Sequence, residues 1–453
     1  MAKANTIACN EPHRPVYTFI DLFAGIGGIR LGLEQALQEA GLIPECVFTS
    51  EIKPHAIAVL SQNHPGEVIT GDITKVNPTD IGDFDILCAG FPCQAFSAAG
   101  NRDGFADTRG TMFFFVENIL KAKKPKGFIL ENVEGLVNHD GGNTLSVIIH
   151  NLEEAGYATS YRVLNSKDFG VPQERKRIYI VGYYVGKKAA RKAEKIKLEE
   201  FPVSSRTVGD ILQTGQPLSN HPFVKKLLKL YTVNDLPGKA IKDKRGGESN
   251  IHSWDLEVKG HVSAEEKALL NKMMTERRKK QWAEDWGIDW MDGMPLTETQ
   301  IQTFWPKKNL KKMLDDLTEK GYLRLEHPKR KVVEKHKAPN GKTVTTSRRV
   351  FDDTKPKGYN IVAGKLSFEV SEVLAPSGIA PTLVATDMQH LYVVDGVGIR
   401  PLTLREGLRL FGYPEDYKFD VAVHDGYDLL GNTVVVPVIK SVASRLIEKI
   451  QHI

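Results

Sequence analysis

The sequence predicts an α/β protein with a doubly wound, mostly parallel sheet and a second, smaller domain. Two observations support this fold class. In the first half of the chain, short apolar runs alternate with stretches of helical periodicity, and strands that alternate with helices pair in parallel through right-handed crossovers. The apolar runs are also continuous, as expected of strands that are buried on both faces. After about Gly186 the pattern changes and charged residues become frequent.

The elements of the first half are predicted in chain order from these runs and from helix-ending glycines. Predicted strands are Tyr17–Phe23, Cys46–Ser50, Phe84–Ala89, Gly127–Leu130 and Arg177–Val185. Predicted helices are Gly28–Ala40, Pro54–Asn63, about Met112–Lys121 and, near the end of the sequence, Val434–Ile450. The strongly basic Lys187–Lys197 is expected to be a linker or an exposed helix.

The second half has helical periodicity over Val262–Gly287 and Lys308–Lys320. A short apolar run, a basic stretch, an Asn340-Gly341 turn and Thr343–Val350 follow. A helix followed by a hairpin with an Asn-Gly turn resembles the second half of a winged helix. Trp282, Trp286 and Trp290 recur every four residues, which favours a place in a core over a contact with a ligand.

Composition limits the possible classes of protein. The 453 residues allow two or three domains, and 41% hydrophobic residues exclude a wholly disordered chain. The net charge of +5 is unevenly distributed, because His221–Val350 contains 28 basic and 18 acidic residues whereas the rest has a net charge of −5. This window also contains all five tryptophans. It indicates a module that binds a polyanion, with a solvated helical surface as the alternative.

Membrane and secreted classes are not favoured. No apolar run reaches the roughly 18 residues of a membrane helix, and Met1–Thr18 lacks the pattern of a signal peptide. The four cysteines are too sparse and scattered for a disulfide framework or a zinc cluster. We therefore expect a cytoplasmic protein without a metal site.

Three groups in the first half suggest a site for a nucleoside. The turn from Asp21 to Gly28 (DLFAGIGG) ends a strand and opens a helix, where glycines let a ligand approach the backbone. Glu51 follows the second strand and suits ribose hydroxyls. Asp72 could accept a hydrogen bond from an exocyclic amine. For either acid taken alone, a helix cap or a surface charge is the alternative.

Further reactive groups follow the later strands. Cys93, in the segment GFPCQAFS, lies where α/β proteins place their sites and can act as a nucleophile if its pKa is lowered. A lone cysteine is more often a small buried residue, and Cys88 fits that description. The triplet Glu131-Asn132-Val133 should reach the same edge of the sheet. Arg175 and Arg177 project to one side if QERKR is extended, where they could orient a carboxylate.

Taken in order, these segments resemble the C5-cytosine DNA methyltransferases of bacterial restriction–modification systems. The matching segments are FAGIGG, Glu51, GD at Gly71-Asp72, GFPCQAFS, ENV, QERKR, RPLT at Arg400–Thr403, GYP at Gly412–Pro414 and GNTV at Gly431–Val434. They span about Phe19–Val185 and Ile399–Leu446. The segment between them is where the family has its variable target-recognition region.

The resemblance implies roles for individual residues and S-adenosylmethionine as the cofactor. Cys93 would attack C6 of a flipped-out cytosine, Glu131 would act at N3, and Arg175 would position the base or Glu131. The implied catalytic residues are Cys93, Glu131, Arg175, Arg177 and Gln173. The implied cofactor-binding residues are Asp21, Phe23, Ala24, Gly25, Gly27, Gly28, Glu51, Ile52, Asp72, Ile73, Pro92, Asn432 and Val434. The implied DNA contacts are Gln94, Ser97, Arg102, Thr382 and Leu383.

The resemblance also implies domains and partners. A catalytic and cofactor-binding domain over 15–190 would be completed by 428–453, and a target-recognition domain over 191–427 would contain the basic insertion. Double-stranded DNA is the expected substrate of a monomer, with a restriction endonuclease acting separately on the same site. A tRNA cytosine methyltransferase and a catalytically decayed DNA-binding protein are the alternatives. Neutralising Lys279–Lys280 or Lys307–Lys312 is expected to weaken DNA binding alone.

Overall fold

The structure is a computed structural model that describes residues 14–92, 112–243, 250–337, 343–362, 368–385 and 387–452. Cys93, Gln94, Ser97, Arg102 and the Asn340-Gly341 turn lie outside these residues. Strands and helices are numbered below in chain order.

The strands are β1 (Val16–Leu22), β2 (Ile43–Ser50), β3 (Ile69–Thr70), β4 (Ile86–Ala89), β5 (Gly127–Val133), β6 (Tyr157–Asn165), β7 (Lys176–Tyr184), β8 (Ala240–Ile241), β9 (Asn250–Ile251), β10 (Leu323–Glu326), β11 (Lys329–Lys337), β12 (Thr343–Phe351), β13 (Gly358–Ile361), β14 (Glu372–Val373), β15 (Leu391–Asp395) and β16 (Gly398–Pro401). The helices are α1 (Gly28–Glu39), α2 (Pro54–Asn63), α3 (Met112–Lys123), α4 (Asn143–Glu154), α5 (Pro222–Leu230), α6 (Ala264–Glu276), α7 (Gln281–Trp286), α8 (Glu298–Phe304), α9 (Leu310–Glu319), α10 (Leu404–Leu410), α11 (Val423–Gly431) and α12 (Val436–Ile450).

The first seven strands form one sheet in the order β3-β2-β1-β4-β5-β7-β6. The pairs among β1 to β5 are parallel, whereas β7 runs antiparallel to both β5 and β6. The sheet is therefore mostly parallel, as predicted. Because the order reverses between β1 and β4, the carboxyl ends of these strands flank a crevice suited to a ligand.

The chain forms two compact units whose limits differ from the predicted domain boundaries. The first unit comprises Met1–Thr214, Ala375–Gln389 and Leu402–Ile453, and the second comprises Gly215–Leu374 and His390–Pro401. Residues 191–214, 375–389 and 402–427 thus pack with the first unit. Within this unit Lys187–Lys197 begins with turns rather than a helix.

The first unit is held together by apolar side chains of the sheet and its helices. Leu22, Leu87 and Phe128 are buried in the cluster that α3 and α4 cover. The stretch Val423–Ile450, which contains α11 and α12, is long and apolar enough to cross a membrane by length and composition. However, 67% of its most apolar window is buried inside the structure, as in a core helix.

The second unit has a five-stranded sheet in the order β16-β15-β14-β8-β9 and two two-stranded sheets, β10-β13 and β11-β12. Trp254, Trp282 and Trp286 are buried in its helical core, which confirms the prediction for Trp282 and Trp286. Trp290 is 40% exposed, so the prediction of a core position is wrong for this residue. It lies beyond α7, which ends before Gly287, and the helical spacing does not continue to it.

Candidate active site

The turn between β1 and α1 leaves room for a ligand. Phe23 has a positive φ of 55°, a strained conformation for a residue with a large side chain. Gly25 and Gly27 also have positive φ angles. A Cβ atom added at Gly25 would meet nothing within 4 Å, so the space beside this glycine is open. The predicted residues Ala24 and Gly28 complete the turn.

Glu51, at the end of β2, holds this turn in place. Its carboxylate accepts hydrogen bonds from the backbone N–H groups of Gly25 at 2.7 Å, Ile52 at 2.7 Å and Lys53 at 2.8 Å. A carboxylate offers about four lone-pair positions, so about one remains for a ligand hydroxyl. The neighbouring Ile52 side chain is 68% exposed, which leaves an apolar surface beside the carboxylate.

Asp21, at the carboxyl end of β1, is buried without a hydrogen-bond partner for either carboxylate oxygen. Burial raises the pKa of this carboxyl to about 7, an effect that the nearby Arg30 guanidinium partly offsets. An unpartnered buried carboxylate is costly. Asp21 therefore holds a proton at moderately acidic pH.

Asp72 has a local structural role in this structure. Its Oδ1 atom accepts hydrogen bonds from the backbone N–H and the hydroxyl of Thr74, and it caps a short 3-10 turn that begins at the buried Ile73. These bonds lower the pKa of Asp72. Asp72 is thus a helix cap, which was the alternative to ligand binding. Any contact of Asp72 with adenine must leave the hydrogen bonds to Thr74 in place.

Residues late in the sequence pack against the start of α1. A Cβ atom at Gly28 would lie 2.6 Å from the Tyr413 hydroxyl and 2.8 Å from a methyl group of Val434, so only glycine fits there. Tyr413 also shares a 2.6 Å hydrogen bond with Thr433. Asn432 is exposed and donates to Asp428. Val434 is thus a packing partner of the turn.

The Glu131 carboxyl lies at the end of β5 and is buried. Desolvation raises its pKa, and the positive charges of Arg177 and Arg175 only partly oppose this. The Arg177 Nε atom lies 3.3 Å from Glu131 Oε1. A carboxyl with a raised pKa can hold a proton close to neutral pH and deliver it to a basic atom.

Asn132 connects Glu131 to the segment that leads to Cys93. Its side-chain amide donates a 3.0 Å hydrogen bond to the carbonyl oxygen of Phe91, and the exposed Pro92 follows. This bond fixes the backbone two residues before Cys93 relative to the end of β5. The prediction did not assign a role to Asn132, although its place beside Glu131 in the ENV triplet was a usable signal.

Arg175 and Gln173 donate hydrogen bonds to backbone carbonyl oxygens. The Arg175 guanidinium donates to the carbonyl oxygens of Leu383 at 2.7 Å, Gly431 at 3.3 Å and Thr433 at 2.9 Å. Gln173 donates to the Leu410 carbonyl. Arg177 forms the ion pair with Glu131, and the positive charge of Arg175 also acts on Glu131. The role of Arg175 in positioning the base or Glu131 stays a prediction.

Of the two predicted DNA contacts in the 382–383 element, only Thr382 is accessible. Its hydroxyl donates to the Glu174 carbonyl at 2.6 Å. Leu383 is 1% exposed, so the prediction of a DNA contact by its side chain is wrong, and Leu383 packs in the core instead. Thr382 and Arg177 line a cleft of about 460 Å³. This cleft also includes Val133 and Lys176.

The chain is similar to known proteins over most of its length. The family described as C-5 cytosine-specific DNA methylase matches residues 17–448. The Type II methyltransferase M.NlaIV of Neisseria lactamica is 57% identical over 95% of this chain and 98% of its own. The Type II methyltransferase M.NgoBV of Neisseria gonorrhoeae is 56% identical with the same coverage. M.BanI of Aneurinibacillus aneurinilyticus is 40% identical over 95% of both chains.

Solved structures share the fold at lower sequence identity. The methyltransferase EhMeth of Entamoeba histolytica superposes with a TM-score of 0.51 at 15% identity, covering 96% of this chain and 99% of its own. The Dnmt2 methyltransferase of S. pombe gives a TM-score of 0.50 at 16% identity, with the same coverage. These likenesses confirm the predicted methyltransferase fold.

Proposed function

Because the chain belongs to the family of C-5 cytosine-specific DNA methylases, it is a DNA cytosine-5 methyltransferase, and we propose that Cys93, Glu131 and Arg177 carry its chemistry. The observation on which this rests is the buried Glu131 carboxyl with its raised pKa, in contact with Arg177. Asn132 links this carboxyl to the backbone that leads to Cys93.

The first step makes C5 of cytosine nucleophilic. The Cys93 thiolate adds to C6, a carbon–sulfur bond forms, and the electrons of the C5–C6 double bond move through C4 to N3. The Glu131 proton goes to N3, so that no isolated negative charge develops in the ring. Arg177 then balances the carboxylate that Glu131 becomes. Burial raises the pKa of Glu131 and so favours the protonated carboxyl that this donation requires.

The later steps restore both the ring and the enzyme. S-adenosylmethionine, when bound, supplies the methyl group that joins C5. Glu131 takes back the proton from N3 as C5 acts as the nucleophile. A base then removes the C5 proton, the double bond re-forms, and the Cys93 thiolate leaves C6. Since C5 and C6 are covered in a stacked duplex, the cytosine must leave the helix, at a cost of a few kcal/mol. The cleft beside Arg177 and Thr382 offers a space for the displaced nucleotide.

The residues at the carboxyl ends of β1 and β2 fit the adenosine part of this cofactor. Glu51 retains about one acceptor position, Ile52 presents apolar surface, and the space beside Gly25 is open. The backbone of the turn, from Phe23 to Gly28, would contact the remainder. Asn432 would close the site from the late turn.

In the cell, we propose that the enzyme acts as a monomer in the bacterial cytoplasm and methylates a specific duplex sequence. Its methylation would protect that sequence from a restriction endonuclease that acts on the same site. The identity to Type II methyltransferases over nearly their full length supports this role.

Trapping on DNA tests the assignment of the nucleophile. A duplex that contains 5-fluorocytosine at the target should give a covalent complex that resists denaturation, because the fluorine cannot leave as a proton does. Cys93→Ser should abolish this complex. Cys46→Ser is the matched control, since the Cys46 thiol lies in β2, where it is hydrogen-bonded to the Phe48 carbonyl and Thr49. A persistent complex with Cys93→Ser would contradict the proposal. Methyl transfer to tRNA but not to duplex DNA would contradict the choice of substrate.

A further inference from the structure

Residues 264–361 of the second unit have the order of elements of a complete winged helix. Helix α6 is followed by the short additional helix α7, a bridge at Leu296, then α8, α9, β10, the β11–β12 hairpin and β13. Tyr359 in β13 lies between Leu296 and Leu325 and runs antiparallel to both neighbours. The three-stranded arrangement packs with helices α8 and α9, and the hairpin occupies the position of the wing.

The bridge at Leu296 constrains the sequence of this module. The backbone groups of Leu296 and Tyr359 exchange hydrogen bonds of 3.0 and 2.7 Å. A Cβ atom at Gly358 would lie 2.6 Å from the Leu296 backbone, so glycine permits this close pairing. The winged-helix hypothesis from sequence therefore extends to the first half of the motif.

The hairpin side chains that the structure describes, those of 329–333 and 347–351, lie outside the buried core of the module. The core contains Leu269, Trp282, Leu314 and Tyr359 among others. Each of these two strands is nine residues long, and they pair with one another alone. At about 3.4 Å per residue the hairpin extends roughly 30 Å. An isolated two-stranded hairpin adds little stability, which points to a role in binding.

The net positive charge of the module is confined to this hairpin. Residues 264–328 contain twelve basic and twelve acidic residues, whereas residues 329–351 contain eight basic residues and one acid, Glu334. Residues 352–361 are neutral overall, with two of each sign. Helix α9, which would be the reading helix of a winged helix, has ion pairs of its own, Lys311 with Asp315 and Lys320 with Asp316.

Like charges face each other across the hairpin. Lys331 is paired with Arg349, and both are exposed. Direct like-charge pairs destabilise a hairpin, so this arrangement favours an anionic partner. The Arg349 guanidinium donates to the carbonyl oxygens of Asp289 and Trp290. These bonds orient the base of the hairpin on the helical part of the module.

We propose that the β11–β12 hairpin is a DNA-binding wing that holds the phosphates of duplex DNA, and that α9 supports it. The choice of duplex DNA rests on the proposed function, and the hairpin's concentrated positive charge and length suit the duplex backbone. The phosphates bound by this wing lie outside the set of DNA contacts that the resemblance implies.

Titration of the full-length protein with a fluorescent duplex over a salt series tests this wing. The variant Arg330→Gln/Lys331→Gln removes two exposed cations. If each contacts a phosphate, the slope of log K against log salt should become less steep by about 2, and affinity at 0.1 M salt should fall by at least roughly tenfold. The matched control Lys188→Gln/Lys192→Gln removes two exposed lysines of the first unit and should bind like the wild type.

Methylation assays separate this inference from the proposed function. With saturating DNA, the Arg330→Gln/Lys331→Gln variant should keep its kcat and show a raised KM for DNA. If the variant methylates DNA at the normal rate and its salt slope is unchanged, the hairpin does not bind DNA phosphates. An acidic protein would then be the expected partner of the hairpin. A wild-type protein that neither binds nor methylates duplex DNA overturns the proposed function itself.

Discussion

The carboxyl edge of the seven-stranded sheet and the β11–β12 hairpin use charge in opposite ways. At the sheet edge, Asp21 and Glu131 are buried, and desolvation raises the pKa of both. In the hairpin, Arg330, Lys331 and Arg349 are exposed to solvent. A buried charge changes its own protonation, whereas an exposed charge keeps it and attracts counter-ions.

Because of this difference, different measurements are sensitive to the sheet edge and to the hairpin. Removing a buried group should change a pH profile or the stability, because the group is coupled to its surroundings at short range. Removing an exposed cation should change a salt dependence and leave the fold intact. Each variant below tests one side of this division, from the largest expected effect to the smallest.

Glu131→Gln should lower kcat by roughly 10²- to 10⁴-fold, the usual contribution of a general acid or base. In the wild type, activity should decline as pH rises through the raised pKa of Glu131, since the protonated carboxyl is the donor. The variant should lose this decline. Single-turnover rates across pH measure both effects. Glu45→Gln, at an exposed position of β2, is the control. A rate within tenfold of the wild type for Glu131→Gln would refute the role.

Asp21→Asn should change the pH dependence of stability. The folded protein holds a proton on Asp21 up to about pH 7, whereas the unfolded chain releases it near pH 4. The wild type should therefore lose stability as pH rises between these values, by up to about 4 kcal/mol at 1.36 kcal/mol per pKa unit. Urea unfolding without cofactor should show a flatter profile for the variant. Parallel profiles would mean that Asp21 is ionised in the folded state.

Arg175→Met should destabilise the first unit by about 3 kcal/mol, because three buried carbonyl oxygens lose their donor. Urea unfolding measures this loss. Arg162→Met is the control, since its ion pair with Glu199 is exposed and should contribute little. If Arg175→Met keeps full stability but loses activity, Arg175 acts on the substrate and the structural role is wrong.

Lys311→Gln/Lys312→Gln should change DNA affinity by less than about threefold. Asp315 and Asp316 already balance positive charge on α9, so few counter-ions are released there. This prediction is opposite to the expectation from sequence, in which neutralising Lys307–Lys312 weakens DNA binding. A loss as large as that of Arg330→Gln/Lys331→Gln would move the DNA-binding surface to α9.

The sequence was sufficient for elements with strong local signals. The limits of α2 were predicted to the residue, and α1 and β2 end within one residue of prediction, because caps and turns mark them. Helix α4 and strand β6 were not predicted. The reversed direction of β7 was also missed, since no local pattern distinguishes a parallel from an antiparallel buried strand.

At the candidate site, the sequence predicts which residues are present better than it predicts their hydrogen-bond partners. Glu131 and Glu51 lie where strand ends place them, at the carboxyl edge of the sheet. The hydrogen bonds of Arg175 could not be predicted, because they depend on carbonyl groups more than 200 residues away in the sequence. Asp72 is a cap because Thr74 follows two residues later and donates to it, which is a signal present in the local sequence.

Helix α1 packs against residues near the end of the sequence, and this affects the order of folding. Gly28 packs against Val434, and a Cβ atom added at Gly32 would lie within 3 Å of Ile439. Helix α1 therefore packs against residues that are synthesised about 400 residues after it. Until then the face of α1 that bears Gly28 and Gly32 lacks these partners. Contacts of such high sequence separation form slowly. The first unit is therefore completed only after the late segment is synthesised, and a chaperone that shields this face of α1 should raise the yield of active enzyme.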